Sequence, residues 1–466
     1  MSHTYDLVVV GLGSGGIVAA QFAANLGLRV AAIERDRVGG DCLWTGCVPS
    51  KALIASARRA HAMRSAERVG ITPVEPDVDL AAVWRRMRAV QAQIAATDDD
   101  PDRLRTIGVE VVEGIARLAG PHTVQVADRT LHTRFVLLCT GSRPALPVIA
   151  GLEEAGVLTS DSFFALEQPP GSLAIIGGGP IGVELAQAWR RLGQEVTLVE
   201  RGPRLLAPDE PALVARLTAS LRGEGVDVRL DAVVDSLAVE GPEKVVRIAD
   251  APRPVSADEV LVAVGRRPDV EGLGLEALGI ELAERGIVVD ARLRTTVRSV
   301  YAAGDVAGRF AFTHSAAHEA VQAVRNMFFP GHEPAVTLVP WCTFTDPELA
   351  HAGMTAAQAR EHFGDARVAV HELALERSDR ARTDAEEDGA LVLVTARHRL
   401  IGAHMLAPAA GEVIHELALA IRQKLKLHEL SSLVHVYPTH STAVLMLAGD
   451  AAFLRAKRFA WLMRHL

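Results

Sequence analysis

Two cysteines, Cys42 and Cys47, stand five positions apart in a glycine-containing segment that spans residues 39–51. On a regular helix this spacing separates two Cα atoms by about 8–9 Å, whereas a disulfide requires about 4.4–6.8 Å. A bond between these sulfurs therefore needs a distorted helix start, for which Gly40 and Gly46 supply backbone freedom. The segment predicts a redox-active dithiol. The alternative is a pair of small thiols that act only as buried hydrophobic side chains.

The composition is that of a globular protein. The chain has 466 residues, of which 49% are hydrophobic and 23% are charged, which predicts two to four domains and excludes a disordered chain. The net charge of −8 gives no reason to expect nucleic acid or an anionic membrane as a partner. Four cysteines are too few for a disulfide framework, so the dithiol predicts a reducing, cytoplasmic setting.

No membrane span is predicted either, because no apolar run reaches the roughly 18 residues that a spanning helix needs. Residues 5–10 run straight into glycines and predict a first strand rather than a signal peptide. The basic and apolar tail, residues 455–466, is predicted to form a packed terminal helix rather than a membrane contact.

The first strand opens a nucleotide-binding pattern. A G-x-G-x-x-G loop follows it, then a predicted helix over 17–26, a second apolar run over 30–33, and the acid Glu34. The glycines of this loop are Gly11, Gly13 and Gly16. Such glycines let the backbone approach a pyrophosphate at a helix N-terminus, and the acid binds ribose hydroxyls.

The same pattern returns later in the chain. A predicted strand over 173–176 precedes glycines at Gly177, Gly179 and Gly182, and Glu200 lies eighteen positions beyond the last of them, as Glu34 does in the first unit. Two such units predict two dinucleotides, a flavin and a nicotinamide. Glu200 would repel a 2′-phosphate and so favours NAD over NADP. Arg201 and Arg204 follow closely and leave NADP(H) possible.

Three further segments predict boundaries. Residues 142–147 are predicted as a linker, and residues 98–101 as a solvated turn or helix boundary rather than a metal site. A break is predicted near 329–334, after which the chain from 341 onward has the mixed pattern of an α+β domain without a glycine loop. No metal site is predicted.

With these residues in hand, the chain resembles a class I pyridine nucleotide–disulfide oxidoreductase, the flavoprotein family that includes dihydrolipoamide dehydrogenase and mercuric reductase. The resemblance covers essentially the whole chain and depends on five motifs, at residues 39–51, 140–144, 264–268, 301–305 and 344–348. It implies an α/β fold with two Rossmann-like FAD/NAD(P)-binding domains and a C-terminal α+β dimerisation domain. The implied ranges are 1–150 with 271–335 for FAD, 151–270 for NAD(P), and 336–466 for the dimer interface.

The resemblance also implies site roles. Cys42 would be the interchange thiol and Cys47 would lie against the flavin, with a nearby helix N-terminus lowering the pKa of these thiols. Lys51 and Glu184 would form an ion pair near the reactive edge of the flavin, although Glu184 could instead be a solvated helix residue. Asp305 would hold the ribityl–phosphate region, and Gly114 would lie against the adenine. The remaining implied residues are Gly11, Gly13, Gly16, Glu34, Thr140 and Gly141 for FAD, and Gly177, Gly179, Gly182, Glu200 and Gly265 for NAD.

One stretch departs from the family pattern. The disulfide reductases carry His-Pro-Thr-x-x-Glu near the C-terminus, where the partner subunit supplies the histidine as acid–base; here Tyr437 replaces the histidine and Thr442 the glutamate. Tyrosine, with a reference pKa of about 10, is a poor base at neutral pH. His435 or His440 could substitute, but each is interpreted as a surface or packing residue. Tyr437 is nevertheless the candidate at this catalytic position, as mercuric reductases also have a tyrosine near it.

Mercuric reductases also use a C-terminal cysteine pair, which this chain lacks. Its other cysteines, Cys139 and Cys342, lie in apolar stretches and are predicted to be core residues, with Cys342 lining the site as the alternative.

The predicted function is FAD-dependent oxidoreduction. Electrons would pass from NADH through FAD to the Cys42–Cys47 disulfide and on to a small-molecule acceptor, which is a disulfide or a soft metal ion, in a homodimer. Two alternatives stay open: a quinone-reducing, diaphorase-type flavoprotein that does not use the dithiol, and a redox-responsive binding protein with little turnover.

Overall fold

A computed structural model describes residues 4–331 and 334–457 of the chain. Within these residues the α-helices are α1 Ser14–Asn25, α2 Gly40–Trp44, α3 Cys47–Arg64, α4 Leu80–Ala95, α5 Pro101–Thr106, α6 Ser160–Phe163, α7 Pro180–Arg191, α8 Pro211–Gly223, α9 Thr313–Phe328, α10 Ala356–Phe363, α11 Asp379–Asp384, α12 Ala410–Arg422 and α13 Thr442–Lys457. None of them has the length and apolar character that a bilayer-spanning helix needs.

The strands of the same ranges are β1 Tyr5–Val10, β2 Val30–Glu34, β3 Val109–Glu113, β4 Ala116–Gly120, β5 Thr123–Val126, β6 Arg129–Leu138, β7 Ser142–Pro144, β8 Ser172–Ile176, β9 Glu195–Val199, β10 Asp227–Arg229, β11 Val234–Glu240, β12 Glu243–Ile248, β13 Val255–Ala257, β14 Glu259–Val262, β15 Arg266–Pro268, β16 Leu282–Ala283, β17 Gly286–Ile287, β18 Val300–Ala302, β19 Trp341–Thr343, β20 Glu348–Gly353, β21 Val368–Ala374, β22 Ala390–Ala396 and β23 Arg399–Ala407.

The first sheet is built around β1. Its order is β3-β2-β1-β6-β5-β4, parallel from β3 to β6 and antiparallel beyond, and β18 also pairs with β6 in parallel. From Leu7 to Val10, strand β1 is a continuous buried apolar run, as expected for a parallel strand covered on both faces. Its carboxyl end delivers the first glycine loop to helix α1, which is where α/β sheets bind ligands.

The second sheet repeats this arrangement with parallel order β10-β9-β8-β14. Strand β8 ends at the second glycine loop, and α7 follows it. An antiparallel sheet of β11, β12 and β13 accompanies it. Two sheets of the same design therefore present their glycine loops at equivalent positions.

The C-terminal part contains an antiparallel sheet with order β19-β20-β23-β22-β21. Helix α12 packs against β20 and β23. Their buried side chains, with those of α13, form a separate apolar core. The predicted fold class, an α/β protein with two Rossmann-like units and a C-terminal α+β domain, is confirmed.

Some boundary predictions have different outcomes. Residues 142–144 at the start of the predicted linker form β7, which pairs with β15. That residues 142–147 link two domains stays a prediction. Asp100 caps α5 by accepting a hydrogen bond from the Asp102 amide, which confirms the predicted helix boundary. The domain ranges stay a prediction, which the return of β18 to the first sheet supports. Parts of the predicted break and tail helix, residues 332–333 and 458–466, lie outside the described residues.

Candidate active site

The two cysteines lie side by side at a break between two helices. Cys42 is in the short helix α2, and Cys47 is the first residue of the 18-residue helix α3. Both are free thiols, and their side chains interact with each other. The predicted distortion is present, because the chain leaves helical geometry at Gly46, where an added Cβ would lie 2.9 Å from the Asp41 carbonyl oxygen.

The glycine at position 40 brings this dithiol against the first nucleotide loop. Gly40 has a φ of +56°, and an added Cβ would come within 2.8 Å of the Gly13 Cα atom. A side chain at this position would therefore push the cysteine segment away from the loop. The close approach of the two backbones explains why a dithiol and a cofactor loop can serve one site.

The two thiols differ in acidity. The pKa of Cys47 is lowered to about 6, first by the hydrogen bond from Cys42 and further by Thr313 and the charge of Lys51, against the effect of burial. The pKa of Cys42 is raised, because its proton is held in the bond to Cys47 and its surroundings are buried. The expectation that a helix N-terminus lowers the pKa of both thiols is therefore wrong for Cys42, which lies within α2 and not at the start of α3.

Two hydroxyl groups beside the sulfurs were not identified from the sequence. The Thr313 Oγ1 atom is 3.3 Å from the Cys47 Sγ atom, and Ser14 hydrogen-bonds to Cys42. Ser14 occupies a variable position of the glycine loop, so its place at the start of α1 was a usable signal. Thr313 opens α9 and carries no motif, because it reaches the dithiol only through the packing of α9.

The predicted ion pair is present in the structure. Lys51 Nζ lies 2.7 Å from Glu184 Oε2, and Glu184 is only 6% exposed, so it is not a solvated helix residue. The Phe344 amide donates to the second Glu184 oxygen at 2.8 Å. Lys51 is one helical turn beyond Cys47, so this pair places a positive charge beside the dithiol. Its role toward a flavin stays a prediction.

A cavity of about 1800 Å³ joins the dithiol to both glycine loops. At the second glycine of each loop, an added Cβ would meet only open space at Gly179 and an atom 3.8 Å away at Gly13. At the third glycine it would collide with backbone oxygen, 1.8 Å away for Gly16 and 2.1 Å for Gly182. The second glycines thus leave room for a pyrophosphate, whereas Gly16 and Gly182 lie behind the cavity and permit close packing of helix on strand.

The first glycines turn the backbone, with φ of +92° at Gly11 and +117° at Gly177. The two acids act alike: the Glu34 carboxylate accepts from the Leu12 amide and the Glu200 carboxylate from the Gly178 amide, each at 2.7 Å. Both carboxylates line the cavity. The residues therefore fit two dinucleotides, and their individual roles stay predictions.

The other predicted cofactor residues also line this cavity: Gly114, Thr140, Gly141, Gly265 and Asp305. Asp305 accepts a hydrogen bond from the Ser142 hydroxyl at 2.6 Å, and Ser142 in turn accepts from Arg266 Nε at 2.7 Å. Arg266 also pairs with Asp41, the neighbour of Cys42. The sequence did not identify this contact, which links the two nucleotide-binding units at the dithiol.

Tyr437 lies outside the cavity of its own chain. Its side chain is exposed, and its hydroxyl donates to Asp379 at 2.9 Å, which raises the pKa of Tyr437. His435 instead bonds Glu416 at 2.9 Å, and His440 lies 3.9 Å from Asp384. Both histidine side chains are largely buried, so they are packing residues, as interpreted from the sequence. A Tyr437 that serves the dithiol must therefore come from a second subunit.

The two remaining cysteines have different surroundings. Cys139 is buried in the core of the first sheet, and burial raises the pKa of its thiol to about 12. Cys342 is only partly buried and lines the cavity near Lys51 and Glu184. Both predictions for Cys342 therefore hold in part: it packs against the C-terminal core, and it also lines the cavity because β19 runs along the cavity wall.

The chain matches two family models. One, described as pyridine nucleotide-disulphide oxidoreductase, matches residues 5–320. The other, described as the dimerisation domain of the same family, matches residues 339–448.

Curated and solved proteins are similar over nearly their whole lengths. A mercuric reductase of Streptomyces lividans is 36% identical over 461 residues, covering 96% of each chain. A dihydrolipoyl dehydrogenase of Thermus scotoductus is 35% identical, covering 97% of this chain and 98% of the relative. The Cu(II) complex of the HOCl-induced flavoprotein disulfide reductase RclA from Escherichia coli has a TM-score of 0.85 at 27% identity, covering 96% of this chain and 99% of that one.

Proposed function

This chain belongs to the pyridine nucleotide-disulphide oxidoreductases, which are FAD-dependent enzymes, and from this premise we propose that it carries electrons from NADH to a soft metal ion through Cys42 and Cys47. The observation that carries the proposal is the adjacency of the two thiols at the wall of the nucleotide cavity. FAD, when bound, supplies a two-electron carrier between nicotinamide and sulfur.

The sulfur chemistry follows from the unequal thiols. A Cys42–Cys47 disulfide that takes up two electrons and one proton becomes a Cys42 thiol and a Cys47 thiolate. The lowered pKa of Cys47 and the nearby Lys51 cation support this distribution. After Cys42 also loses its proton, the two sulfurs form the kind of soft ligand pair that thiophilic ions prefer. The two thiolates then give up two electrons as the Cys42–Cys47 disulfide re-forms, and either one divalent ion takes both electrons or two ions take one each.

A soft metal ion is favoured over a disulfide because of Tyr437. Turnover of a disulfide releases two thiolates that need protons, and a positioned acid–base contributes about 10²–10⁴-fold to such steps. The Asp379 carboxylate raises the pKa of the Tyr437 hydroxyl, so Tyr437 stays a phenol at neutral pH and does not act as a base. Reduction of a metal ion between thiolates requires no such group. The names of two relatives, a mercuric reductase and a protein solved with Cu(II), support this choice.

Reduction of a small disulfide is the second candidate. It is favoured by the partly exposed Cys42 and by the dihydrolipoyl dehydrogenase relatives.

A stopped-flow acceptor screen tests the proposal. NADH-reduced holoenzyme is mixed with Hg²⁺, Cu²⁺, glutathione disulfide, lipoamide and a benzoquinone, and its reoxidation is followed. Metal ions are expected to reoxidise wild-type enzyme fastest, Cys42→Ser is expected to lose this reaction, and Cys139→Ala, which removes a thiol buried in the core, is expected to keep it. Rapid quinone reduction that survives Cys42→Ser, with slow metal reduction in wild type, would favour the diaphorase alternative. Negligible flux with every acceptor would favour a redox-responsive binding protein.

The thiolate of Cys47 predicts a pH-dependent spectrum. Two-electron reduction of the holoenzyme is expected to produce a long-wavelength absorption band from a thiolate beside the flavin. Because the pKa of Cys47 is lowered to about 6, the band should persist above that pH and fade as the pH falls through it. Absorption spectra between pH 5 and about 8.5 check this, the upper limit lying at the pKa of an ordinary thiol.

Two variants test which cysteine supplies the thiolate that produces this band. Cys47→Ser should abolish it at every pH. Cys42→Ala removes the hydrogen bond that contributes most to the lowered pKa, so the band should appear only at higher pH. A band that survives Cys47→Ser would assign the thiolate to another cysteine.

The position of Glu200 predicts that the enzyme prefers NADH to NADPH. It lies at the cavity wall, where its charge would repel a 2′-phosphate, whereas the Arg204 side chain donates to the Ala207 carbonyl of its own loop. Glu200→Ala should shift the ratio of kcat/KM for NADH over NADPH at least about tenfold toward NADPH, which corresponds to about 1.4 kcal/mol. Glu200→Asp, which keeps the charge, is the control. An unchanged ratio in the alanine variant would remove Glu200 as the selector.

The match to a dimerisation domain supports a homodimer, in which Tyr437 of one subunit would lie near the dithiol of the other. An exposed apolar strip beside Tyr437 supports the same assembly, and its members are Leu433, Val434 and Val436. The four free cysteines support a reducing, cytoplasmic setting.

A further inference from the structure

A buried polar cluster lies beside the cavity and has no place in the dithiol chemistry. His351 on β20 and His404 on β23 are register partners in the antiparallel pair, and each is 1% exposed. The side chains of Asp209, 3% exposed, and Trp341 complete the cluster. Trp341 Nε1 donates to Asp209 Oδ1 at 2.9 Å, and its ring stacks on His351 with centroids 3.6 Å apart.

The hydrogen bonds of the two imidazoles show how many protons the two rings must carry together. His351 Nε2 lies 2.8 Å from the Gly353 carbonyl oxygen, and His404 Nε2 lies 3.0 Å from the Met354 carbonyl oxygen. A carbonyl only accepts, so each Nε2 must carry a proton. The two Nδ1 atoms face each other at 3.1 Å, and one of them must also carry a proton to make a bond. Three protons are required, whereas two neutral imidazoles carry two.

A third proton makes the pair a cation, which needs a counter-ion in a buried site. Asp209 Oδ1 is 3.8 Å from His351 Nδ1 and supplies it. Burial raises the pKa of Asp209 to about 6, so it is a carboxylate at neutral pH. Burial lowers the pKa of each imidazole and so opposes the extra proton. The grounds for it are geometric: two carbonyl acceptors, two facing Nδ1 atoms and the nearby Asp209 carboxylate.

The groups around the pair can be named element by element. The segment before α8 contributes Asp209 and Glu210, and Arg204 lies near Asp209. Strand β19 contributes the Trp341 ring, and β20 and β23 contribute the histidines. Within residues 4–331 and 334–457, no other charged side chain hydrogen-bonds to either ring, and no group of three or more potential ligands forms a metal site.

The cluster is connected to the active-site wall through stacked rings. Trp341 lines the cavity and stacks on Phe312, with centroids 5.8 Å apart and planes 12° from parallel. Phe312 precedes Thr313, whose hydroxyl contacts Cys47. Cys342, the residue after Trp341 in the sequence, also lines the cavity. Whatever fixes the Trp341 ring therefore also fixes this wall.

We propose that His351 and His404 share one proton as a buried cation, that Asp209 is its counter-ion, and that this charged clasp is the positioning device for Trp341 in the cavity wall. The clasp joins the nucleotide-binding part of the chain, through Asp209, to the C-terminal sheet. The Glu210 side chain strengthens this junction by accepting from the Ala356 amide at 3.0 Å. The inference does not depend on which acceptor the enzyme reduces.

The proton count is tested directly on ¹⁵N-histidine-labelled wild-type holoenzyme. At pH 7 the four ring nitrogens of His351 and His404 are expected to carry three protons, with their signals assigned by their loss in His351→Asn and His404→Asn. Two neutral rings with one proton each would overturn the proposal. Asp209→Asn removes the counter-ion while keeping an acceptor for Trp341, so the third proton should be lost at lower pH than in wild type. An unchanged titration would exclude Asp209 as the counter-ion.

A double-mutant cycle tests the clasp by a second route. In His351→Asn the side-chain amide can donate to a neutral His404, so no cation is needed. The decrease in the midpoint of thermal unfolding that Asp209→Asn causes should therefore be at least about twice as large in wild type as in the His351→Asn background. Equal shifts would refute the ion pair.

Acrylamide quenching of Trp341, taken as the difference from Trp341→Phe, should rise in Asp209→Asn because the clasp is weakened. No rise would mean that the charge does not position Trp341.

Discussion

Cys42→Ser enzyme is expected to reduce thiol-dependent acceptors at least about 10³-fold more slowly than wild type. The serine is nearly isosteric, but its hydroxyl is neither a nucleophile of comparable strength nor a soft metal ligand at neutral pH. No other thiol of the described chain takes over this task, because Cys139 is buried in the core and Cys342 lies beside the Lys51–Glu184 pair rather than within the Cys42–Cys47 pair. The Cys42→Ser variant should therefore reduce these acceptors almost not at all.

The measurement is steady-state NADH oxidation with Hg²⁺ or glutathione disulfide, repeated with a benzoquinone. Quinone reduction should stay within about threefold of wild type, because the nearly isosteric serine leaves the fold largely unchanged. Cys342→Ser is the matched control, since it removes a second cavity thiol but leaves the dithiol intact. A Cys42→Ser enzyme with undiminished metal and disulfide reduction would show that the dithiol is not in the electron path.

Restoring an imidazole and a carboxylate should have the second-largest effect. In Tyr437→His with Thr442→Glu, the rate of small-disulfide reduction is expected to rise about 10²-fold, the lower end of what a positioned acid–base contributes. Position 442 is the first residue of α13, where a carboxylate is also favoured by the helix N-terminus. Position 437 is exposed on the single chain and available to a partner subunit.

The rate is measured with glutathione disulfide and lipoamide between pH 6 and about 8, the range over which an ordinary imidazole titrates. Tyr437→His alone should gain less, because nothing holds the imidazole in the required orientation. Tyr437→Phe should change little, since the present tyrosine is bonded to Asp379. An unaltered rate in the double variant would mean that the acceptor pocket, and not proton transfer, has diverged from the disulfide reductases.

These two experiments separate the two halves of the proposed function. The first asks whether electrons pass through sulfur at all, and the second asks why sulfur would pass them to a metal ion rather than to a disulfide. A large loss in Cys42→Ser together with a large gain in the double variant would describe a working dithiol whose proton-transfer partner has been replaced.

The amino-acid sequence alone was sufficient to predict the features that depend on local backbone geometry. The glycine loops predicted both nucleotide units, because a positive φ at Gly11 and Gly177 and contact distances at Gly16 and Gly182 leave no alternative to glycine. The dithiol was predicted for the same reason, since only a helix break could bring Cys42 and Cys47 together. The fold class followed from these repeated units, and the Lys51–Glu184 pair, 133 residues apart, came from family resemblance alone.

The contacts between distant elements were decided only in three dimensions. Thr313 reaches Cys47 across 266 residues, and Cys342 enters the cavity wall because β19 runs along it. His351 and His404 share a proton site because of strand register, which no local pattern predicts. Spacing along the chain determines backbone geometry within an element, but which side chains meet depends on how sheets and helices pack. That is why the machinery of the site could be predicted from the sequence while the groups that tune and hold it could not.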